Sequence, residues 1–418
     1  MKLFTHTFGC RVNQYETERL RERLIEDGAV RAQGFEDADL CVVNTCTVTR
    51  EADKDALLLL RRITRRNPAA KLVVTGCLAS RSPEEILAAA PHAVVVGNDG
   101  KGTLAESLGC SPAPAAAGLT SFGERSRAYV KVQDGCNMHC TYCIIPSVRP
   151  TLSSRPAGEV LDEVRGLVDS GYQEAVLCGI RLGRYLNRED GRRVDFIALL
   201  ERLLGLPGDF RVRLSSFEVT DVTDRFISFA AASEGRLCPS FHLPLQSGSD
   251  NVLKRMERWY SAAFFERRVR ALRERLPEAG LFTDVMVGFP GETEEDFQKT
   301  YDLLDRLGFC GLHIFPFSAR RGTPAAQWEP LPEPVVAARM ARMRELDARL
   351  RSAFAARSLG NKRRVLIESV HDGVSGTAED FLRVRLDRDP GRGLHWALLH
   401  KVEGPQAWGR IIASAPGP

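Results

Sequence analysis

The 418 residues of this chain predict an α/β protein in three parts: a parallel sheet with covering helices, an incomplete (βα)6 barrel and a small terminal β-barrel. Three observations lead there. Over residues 1–108 short apolar runs alternate with helical stretches, the pattern of a helix-covered parallel sheet. Past a Pro/Gly-rich stretch at 109–122 the alternation resumes on a longer beat, as in a barrel of β–α units. From about residue 359 short strands follow one another through Gly-rich turns, which suits a small antiparallel barrel.

In the first part KLFTHTFG reads as a strand and YETERLRERLIEDG as a helix, with Leu20 and Leu24 on one face. DADLCVVNT, KLVVTG and AVVVG are further strands, with helices at DALLLLRRITRR and PEEILAAAP. This order predicts a flavodoxin-like layer. GCSPAPAAAGLTSF, residues 109–122, reads as a linker. The second part, 123–357, offers the strands AYVKV, EAVLCG, FRVRLSS, SFHLPLQ, LFTDVMVGF and GLHIFPF, with helices between them. A basic helix over about 333–358 carries Arg339, Arg342, Arg344, Arg349, Arg351 and Arg357, with Met340, Met343, Leu346 and Leu350 inward. Its arginines form a solvated face or a phosphate-facing surface. The third part, 358–418, holds the strands NKRRVLIESV, TAEDFLRVRL, HWALLHKVE and AWGRIIA. Its AEDFLRVR and HWALLH segments are candidates for contact with nucleic acid.

Composition narrows the classes. Hydrophobic content of 44% and charged content of 27% are those of a soluble globular protein. No apolar run reaches membrane-spanning length, and MKLFTHTFGC lacks the character of a signal peptide. A cytoplasmic protein without a membrane partner is expected. The net charge of +4 implies no partner by itself. The 11 cysteines are odd in number and come without a secretory signal, which favours metal over disulfides. No Ser/His/Asp triad or P-loop pattern supports a hydrolase or nucleotide triphosphatase.

The cysteines carry the chemistry. Cys136, Cys140 and Cys143 stand in GCNMHCTYCIIP, a CxxxCxxC triplet directly after the strand AYVKV. Three thiolates so spaced can cap three irons of a cubane cluster and leave the fourth open. The alternative is a zinc knot with His139 as fourth ligand. The three-residue gap, Tyr142 before the last cysteine and the preceding strand suit a cluster loop better. Cys10, Cys46 and Cys77 each follow one of the first three strands. Carboxyl ends of parallel strands share one edge, so these thiols can converge on a second metal site. Buried structural cysteines are the rival reading, and Cys41, inside its strand, is taken as one.

The CxxxCxxC loop resembles that of the radical S-adenosylmethionine enzymes. Nearly the whole chain resembles one family among them, the methylthiotransferases. The match lies in TFGCRVNQYETE, VVNTCTV and TGCLA, then KVQDGCNMHCTYCIIP, RLSSFE, HLPLQSGSD, VGFPGETEEDF and HIFPFSARRGTPAA. The tail resembles a TRAM domain, a small RNA-binding barrel. GCRVNQYETE is similar to the branch acting on threonylcarbamoyladenosine in tRNA.

The resemblance implies two [4Fe-4S] clusters, a radical-generating one on Cys136, Cys140 and Cys143 and an auxiliary one on Cys10, Cys46 and Cys77. It implies S-adenosyl-L-methionine as co-substrate for both methylation and radical formation. The implied substrate is the anticodon arm of a tRNA, methylthiolated at carbon 2 of the modified adenine. An electron donor and a sulfur source are implied as partners. Tyr142, Gly179, Ser216 and Gln246 are candidate contacts to S-adenosylmethionine, GFPGE at 288–292 sits at a strand end, and Arg149 is a candidate partner for a cofactor carboxylate or a tRNA phosphate. Pro150, Arg181 and Leu186 depart from the family pattern, and Cys110, Cys178, Cys238 and Cys310 have no assigned role. The rival functions are the same chemistry on isopentenyladenosine or on a ribosomal-protein aspartate, and a non-catalytic metal-containing RNA-binding protein.

Overall fold

A computed structural model describes residues 1–112, 118–123, 126–369 and 373–412. The first part is a five-stranded parallel sheet in the order Val30–Arg31, Lys2–Thr7, Leu40–Thr45, Lys71–Gly76, Val94–Val96. Every residue of Leu40–Thr45 is buried, because this central strand is covered on both faces. Leu40 and Val42 pack with Leu24 of the helix Arg11–Glu26. Cys41 and Val43 point the other way, to Leu60 and Ile63 of the helix Arg50–Arg66. Thr49 caps that second helix by accepting the Ala52 N–H at 3.2 Å, and Arg65 and Arg66 sit at its negative end. The first helix begins directly after Cys10, at Arg11 rather than Tyr15.

The central part follows the expected β–α order. Ala128–Lys131, Glu174–Cys178 and Arg211–Leu214 form one parallel ladder. Ser240–His242, Gly280–Val287 and Gly311–Pro316 form another. Val212 joins the two through its bridge to Leu237. The six strands curl into a partial barrel, open between Ala128–Lys131 and Gly311–Pro316. Its core also takes Val12 and Tyr15 from the first helix, so the two parts share apolar packing.

The 109–122 segment is more than a linker. Residues 113–117 lie outside the described residues, but Leu119 and Phe122 are buried in the central core. The Leu119 N–H donates to Glu163 at 2.9 Å. The basic helix, Glu333–Arg357, buries Met340, Met343, Leu346 and Leu350 as expected. Its arginines mostly bind neighbouring carboxylates: Arg339 to Glu292 at 2.8 Å, Arg342 to Glu294 at 2.5 Å, Arg349 to Asp305 at 2.8 Å and Arg351 to Asp347 at 2.8 Å. This favours a cemented helix face over a phosphate surface.

The third part is a closed five-stranded barrel, Lys362–Ser369, Ser375–Thr377, Arg383–Leu386, Gln406–Ile411 and Leu394–Glu403. TAEDFLRVRL is therefore two strands with a turn between them. That turn carries Phe381 at φ 73°, packed against Phe282 and under the Arg213 guanidinium. The barrel docks at the amino ends of the central strands through buried charge. Glu174 accepts from Arg211 at 2.7 Å and from Arg213 at 2.9 and 3.0 Å. The same arginines donate across to the carbonyls of Arg364, Thr377, Ala378 and Glu379. Among the described residues no helix is long and apolar enough to cross a membrane.

Candidate active site

Strand ends from the first two parts face each other at the barrel mouth. Gly9 and Gly76 shape the first edge. Gly9 has φ +89° and a Cβ there would lie 2.6 Å from the Cys46 sulfur; Gly76 has φ +102° and a Cβ would meet Thr45 O at 2.3 Å. Only glycine fits both the backbone and the space. These turns set Cys10 and Cys77 beside Cys46, and the three thiols act on one another electrostatically. On the facing side the Cys143 N–H donates to Cys140 O at 3.0 Å and the Cys136 N–H to Arg149 O at 3.1 Å. Cys136, Cys140 and Cys143 also form one electrostatic group.

Each of the six sulfurs meets an N–H donor. Cys136 accepts from the Met138 N–H at 3.4 Å, Cys140 from Arg258 at 3.5 Å and Cys77 from Asn98 Nδ2 at 3.6 Å. Backbone N–H groups of Asn13, Val48 and Ile145 serve Cys10, Cys46 and Cys143. Such donors favour thiolate and tune the potential of an iron–sulfur cluster. Burial works the other way, pushing the Cys46 and Cys143 thiols up to about 12 and raising Cys10 and Cys140. Metal binding at these thiols must therefore displace protons. Among the described residues no three His/Cys/Asp/Glu side chains stand close enough to ligate one metal ion. The donor set, glycine turns and N–H donors fit the clusters.

The sets are tied together by Arg149, which is buried rather than facing a cofactor or a tRNA phosphate. It donates to Glu16 at 2.9 and 2.8 Å, to Asp134 at 2.8 and 2.7 Å, and to Asn13 at 2.9 Å. Lys101 and Lys131 complete the network through Glu16. Asn98 adds a bond to Val148 O at 2.9 Å. Glu16, Asn98 and Arg258 had no sequence signal for these roles, since their partners are remote along the chain.

A cavity of about 380 Å³ opens beside Cys143, lined also by Val48, Thr49, Tyr142, Gln246, Asp284 and His313 among others. Tyr142 forms part of its wall, with its ring edge-on to Phe289. Gln246 is buried, has φ +68°, and its Oε1 has no partner among the described residues, an acceptor suited to a ligand N–H or O–H. Ser216 is exposed and is not among the cavity-lining residues; its hydroxyl bonds His242 Nδ1 at 2.7 Å. His242 Nε2 and His313 Nδ1 both meet Asp284 Oδ1, at 2.9 and 3.0 Å. Burial raises the Asp284 carboxyl, but the two imidazoles overcome this and hold it well below the usual range; the bond to Asp284 raises His313. Gly179 packs against Gln133, whose Oε1 accepts the Arg181 N–H at 2.7 Å. It is not among the cavity-lining residues. Of GFPGE, Gly288 packs against Val336, and Glu292 binds its N–H at 3.0 Å. Pro150 is exposed, Arg181 lies over Trp259 at 5.0 Å, and Leu186 is exposed.

A sequence model of the Radical SAM superfamily matches residues 130–304, and one described as Uncharacterized protein family UPF0004 matches residues 2–97. The radical S-adenosylmethionine methyltransferase TsrM from Kitasatospora setae aligns with a TM-score of 0.56 and 15% identity over 78% of this chain and 77% of that one. The cobalamin-dependent S-adenosylmethionine radical enzyme OxsB aligns with a TM-score of 0.52 and 12% identity over 83% and 56%. At such identities the likeness is one of fold. The sequence match over residues 130–304, with the cysteine loop inside it, marks the central part as a radical S-adenosylmethionine domain.

Threonylcarbamoyladenosine tRNA methylthiotransferase MtaB of Chlamydia pneumoniae is 40% identical over 87% of this chain and 86% of its own. MtaB of Bacillus subtilis is 41% identical over 78% and 75%. The tRNA-2-methylthio-N(6)-dimethylallyladenosine synthase of Paenarthrobacter aurescens is 37% identical over 96% and 80%. The chain belongs to the methylthiotransferase family of radical S-adenosylmethionine enzymes.

Proposed function

We propose that this protein adds a methylthio group to carbon 2 of N6-threonylcarbamoyladenosine beside the anticodon of tRNA. One observation carries the reading: two three-cysteine sets, each an electrostatic group, are bridged by a buried arginine, and Cys143 of one set opens onto a cavity. Identities of 36–41% to four MtaB proteins support the choice of substrate. When bound, a [4Fe-4S] cluster on Cys136, Cys140 and Cys143 supplies the electron that cleaves S-adenosylmethionine to a radical, and a second on Cys10, Cys46 and Cys77 supplies the site of sulfur handling.

The protein's own residues hold and align. Arg258 and the Met138 N–H steady the radical-side sulfurs; Asn98 and the Val48 N–H steady the auxiliary ones. Tyr142 and Gln246 give the cavity an aromatic wall and a free acceptor for S-adenosylmethionine. Arg149 fixes the distance between the sets. The terminal barrel is the RNA-binding part, and an electron donor and a sulfur source complete the reaction.

The test is anaerobic. The protein is reconstituted with iron and sulfide, then given reductant, S-adenosylmethionine and tRNA bearing threonylcarbamoyladenosine. Mass spectrometry of the digested nucleosides should show the methylthio product. Product only from isopentenyladenosine tRNA would move the assignment to the dimethylallyl branch, and no deoxyadenosine from iron-loaded protein would overturn the enzyme reading.

A further inference from the structure

A second cavity, of about 290 Å³, opens beside the first and shares His313 with it. Its walls come from the barrel interior, and Arg11 and Arg351 also line it. Phe381 and Arg213 from the docking region complete the lining. Three arginines thus line one space. Arg213 is neutralised by Glu174 and Arg351 by Asp347. Arg11 differs. Its guanidinium lies 5.9 Å from the Tyr129 ring centroid, and no carboxylate pairs with it among the described residues.

Two imidazoles stand in the same space. His242 is committed on both nitrogens, to Ser216 and Asp284. His313 uses Nδ1 on Asp284, its Nε2 has no hydrogen-bond partner among the described residues, and its side chain is 75% exposed. The one carboxylate beside this group, Asp284, is thus capped by two imidazoles. The cavity therefore holds an uncompensated cation and a free imidazole edge, and lacks an anion. An apolar group placed there would leave Arg11 desolvated and unpaired, which is costly. A carboxylate would accept from the Arg11 fork in the geometry arginine favours.

We propose that Arg11, with His313 beside it, receives the carboxylate of the substituent on N6 of the target adenine and selects an acidic substituent over an apolar one. This rests on the substrate reading above and gives its physical basis. Arg11 follows Cys10 directly, so the residue that chooses the substituent is carried on the same turn as an auxiliary-site thiol.

The experiment measures binding by fluorescence anisotropy, with the reconstituted full chain and labelled anticodon stem-loops. One RNA carries threonylcarbamoyladenosine, a second its carboxylate methyl ester, a third isopentenyladenosine. Esterification should weaken binding by roughly 10- to 100-fold, the range for a hydrogen bond to a charged group. Arg11→Gln should weaken binding of the acid by a similar factor and leave the ester unchanged, the signature of a direct pair in a double-mutant cycle. Arg11→Lys should recover part of the loss, and His313→Gln should give a smaller loss confined to the acid. Iron content of the variants reports an intact auxiliary site. Equal binding of acid and ester by the native protein, or an equal loss of both in Arg11→Gln, overturns the proposal. Methylthio product from isopentenyladenosine RNA alone sinks the substrate reading and this inference with it. Product from threonylcarbamoyladenosine with no preference for the acid sinks the inference alone.

Discussion

Glu174→Gln is the sharpest test of how the terminal barrel is held. Glu174 is fully buried and Arg211 and Arg213 are each 1% exposed, so all three charges lie outside water. The carboxylate accepts three bonds of 2.7, 2.9 and 3.0 Å from the two arginines, with Arg127 at 3.5 Å. Glutamine keeps the shape and removes the charge, taking the paired carboxylate from Arg213 and leaving Arg211 only Glu379 at 3.9 Å. Breaking such a buried network costs about 3–5 kcal/mol, against under about 1 kcal/mol for a surface pair. The assay is urea unfolding of the full chain followed by tryptophan fluorescence, because Trp396 and Trp408 lie in the terminal barrel. Its transition should fall by about 3–5 kcal/mol at pH 7. The pH dependence supplies a second check. Burial would raise this carboxyl, but Arg213, Arg211 and Arg127 together hold it well below the usual range. A depressed carboxylate stabilises above its unfolded pKa of about 4.3, and the contribution fades as pH falls toward the folded value. The gap between native and variant should therefore be constant from pH 8 to 5 and shrink below about pH 4. A loss under about 1 kcal/mol, or a gap that stays flat to pH 3, would refute the reasoning.

Other outcomes follow from the same geometry. Arg149→Lys keeps the charge but loses the fork that grips Glu16, Asp134 and Asn13 at once. It should still form deoxyadenosine, while methylthio product per deoxyadenosine drops roughly 10-fold or more, as expected of a misaligned pair of sites; an unchanged ratio in a coupled assay counts against the bridge. Cys77→Ala should spare S-adenosylmethionine cleavage and abolish methylthiolation, read by mass spectrometry of both products. Cys140→Ala should abolish both, and persisting deoxyadenosine there would sink the radical-side assignment. Gln246→Ala removes the orphan acceptor and should raise the KM for S-adenosylmethionine by about 5- to 10-fold at unchanged iron content.

Much of this was legible along the chain because it is periodic or local. The strand–helix alternation placed both sheets, and the recurrence of cysteine after three strands brought Cys10, Cys46 and Cys77 to one edge. Contacts made across long separations were not legible. Arg149 reads as a contact for a cofactor carboxylate or a tRNA phosphate until Glu16, 133 residues away, is seen against it. The helix after Cys10 starts early because Val12 and Tyr15 are needed by the central core, which the local pattern cannot show. The small-residue composition of 109–122 concealed Leu119 and Phe122, two anchors that bind the strap down. Composition likewise made the 333–357 helix look basic, although its arginines are mostly spent on carboxylates of its neighbours.

The network between the two cysteine sets shows which force prevails there. Lys101, Lys131 and Arg149 face Glu16 and Asp134, so the bridge carries one more cation than anions. That surplus sits next to thiols that must ionise to bind iron. Arg149 and the Asn13 N–H draw the Cys10 thiol down, yet burial outweighs them and its net shift is upward. Field and hydrogen bonds thus offset only part of the desolvation cost of a buried thiolate. The remainder must come from the metal–sulfur bond itself. A stronger fixed field would ionise Cys10 without metal and leave a bare buried thiolate open to oxidation. Three cations against two carboxylates hold Cys10 short of that point, its net shift still upward, so that iron must displace its proton.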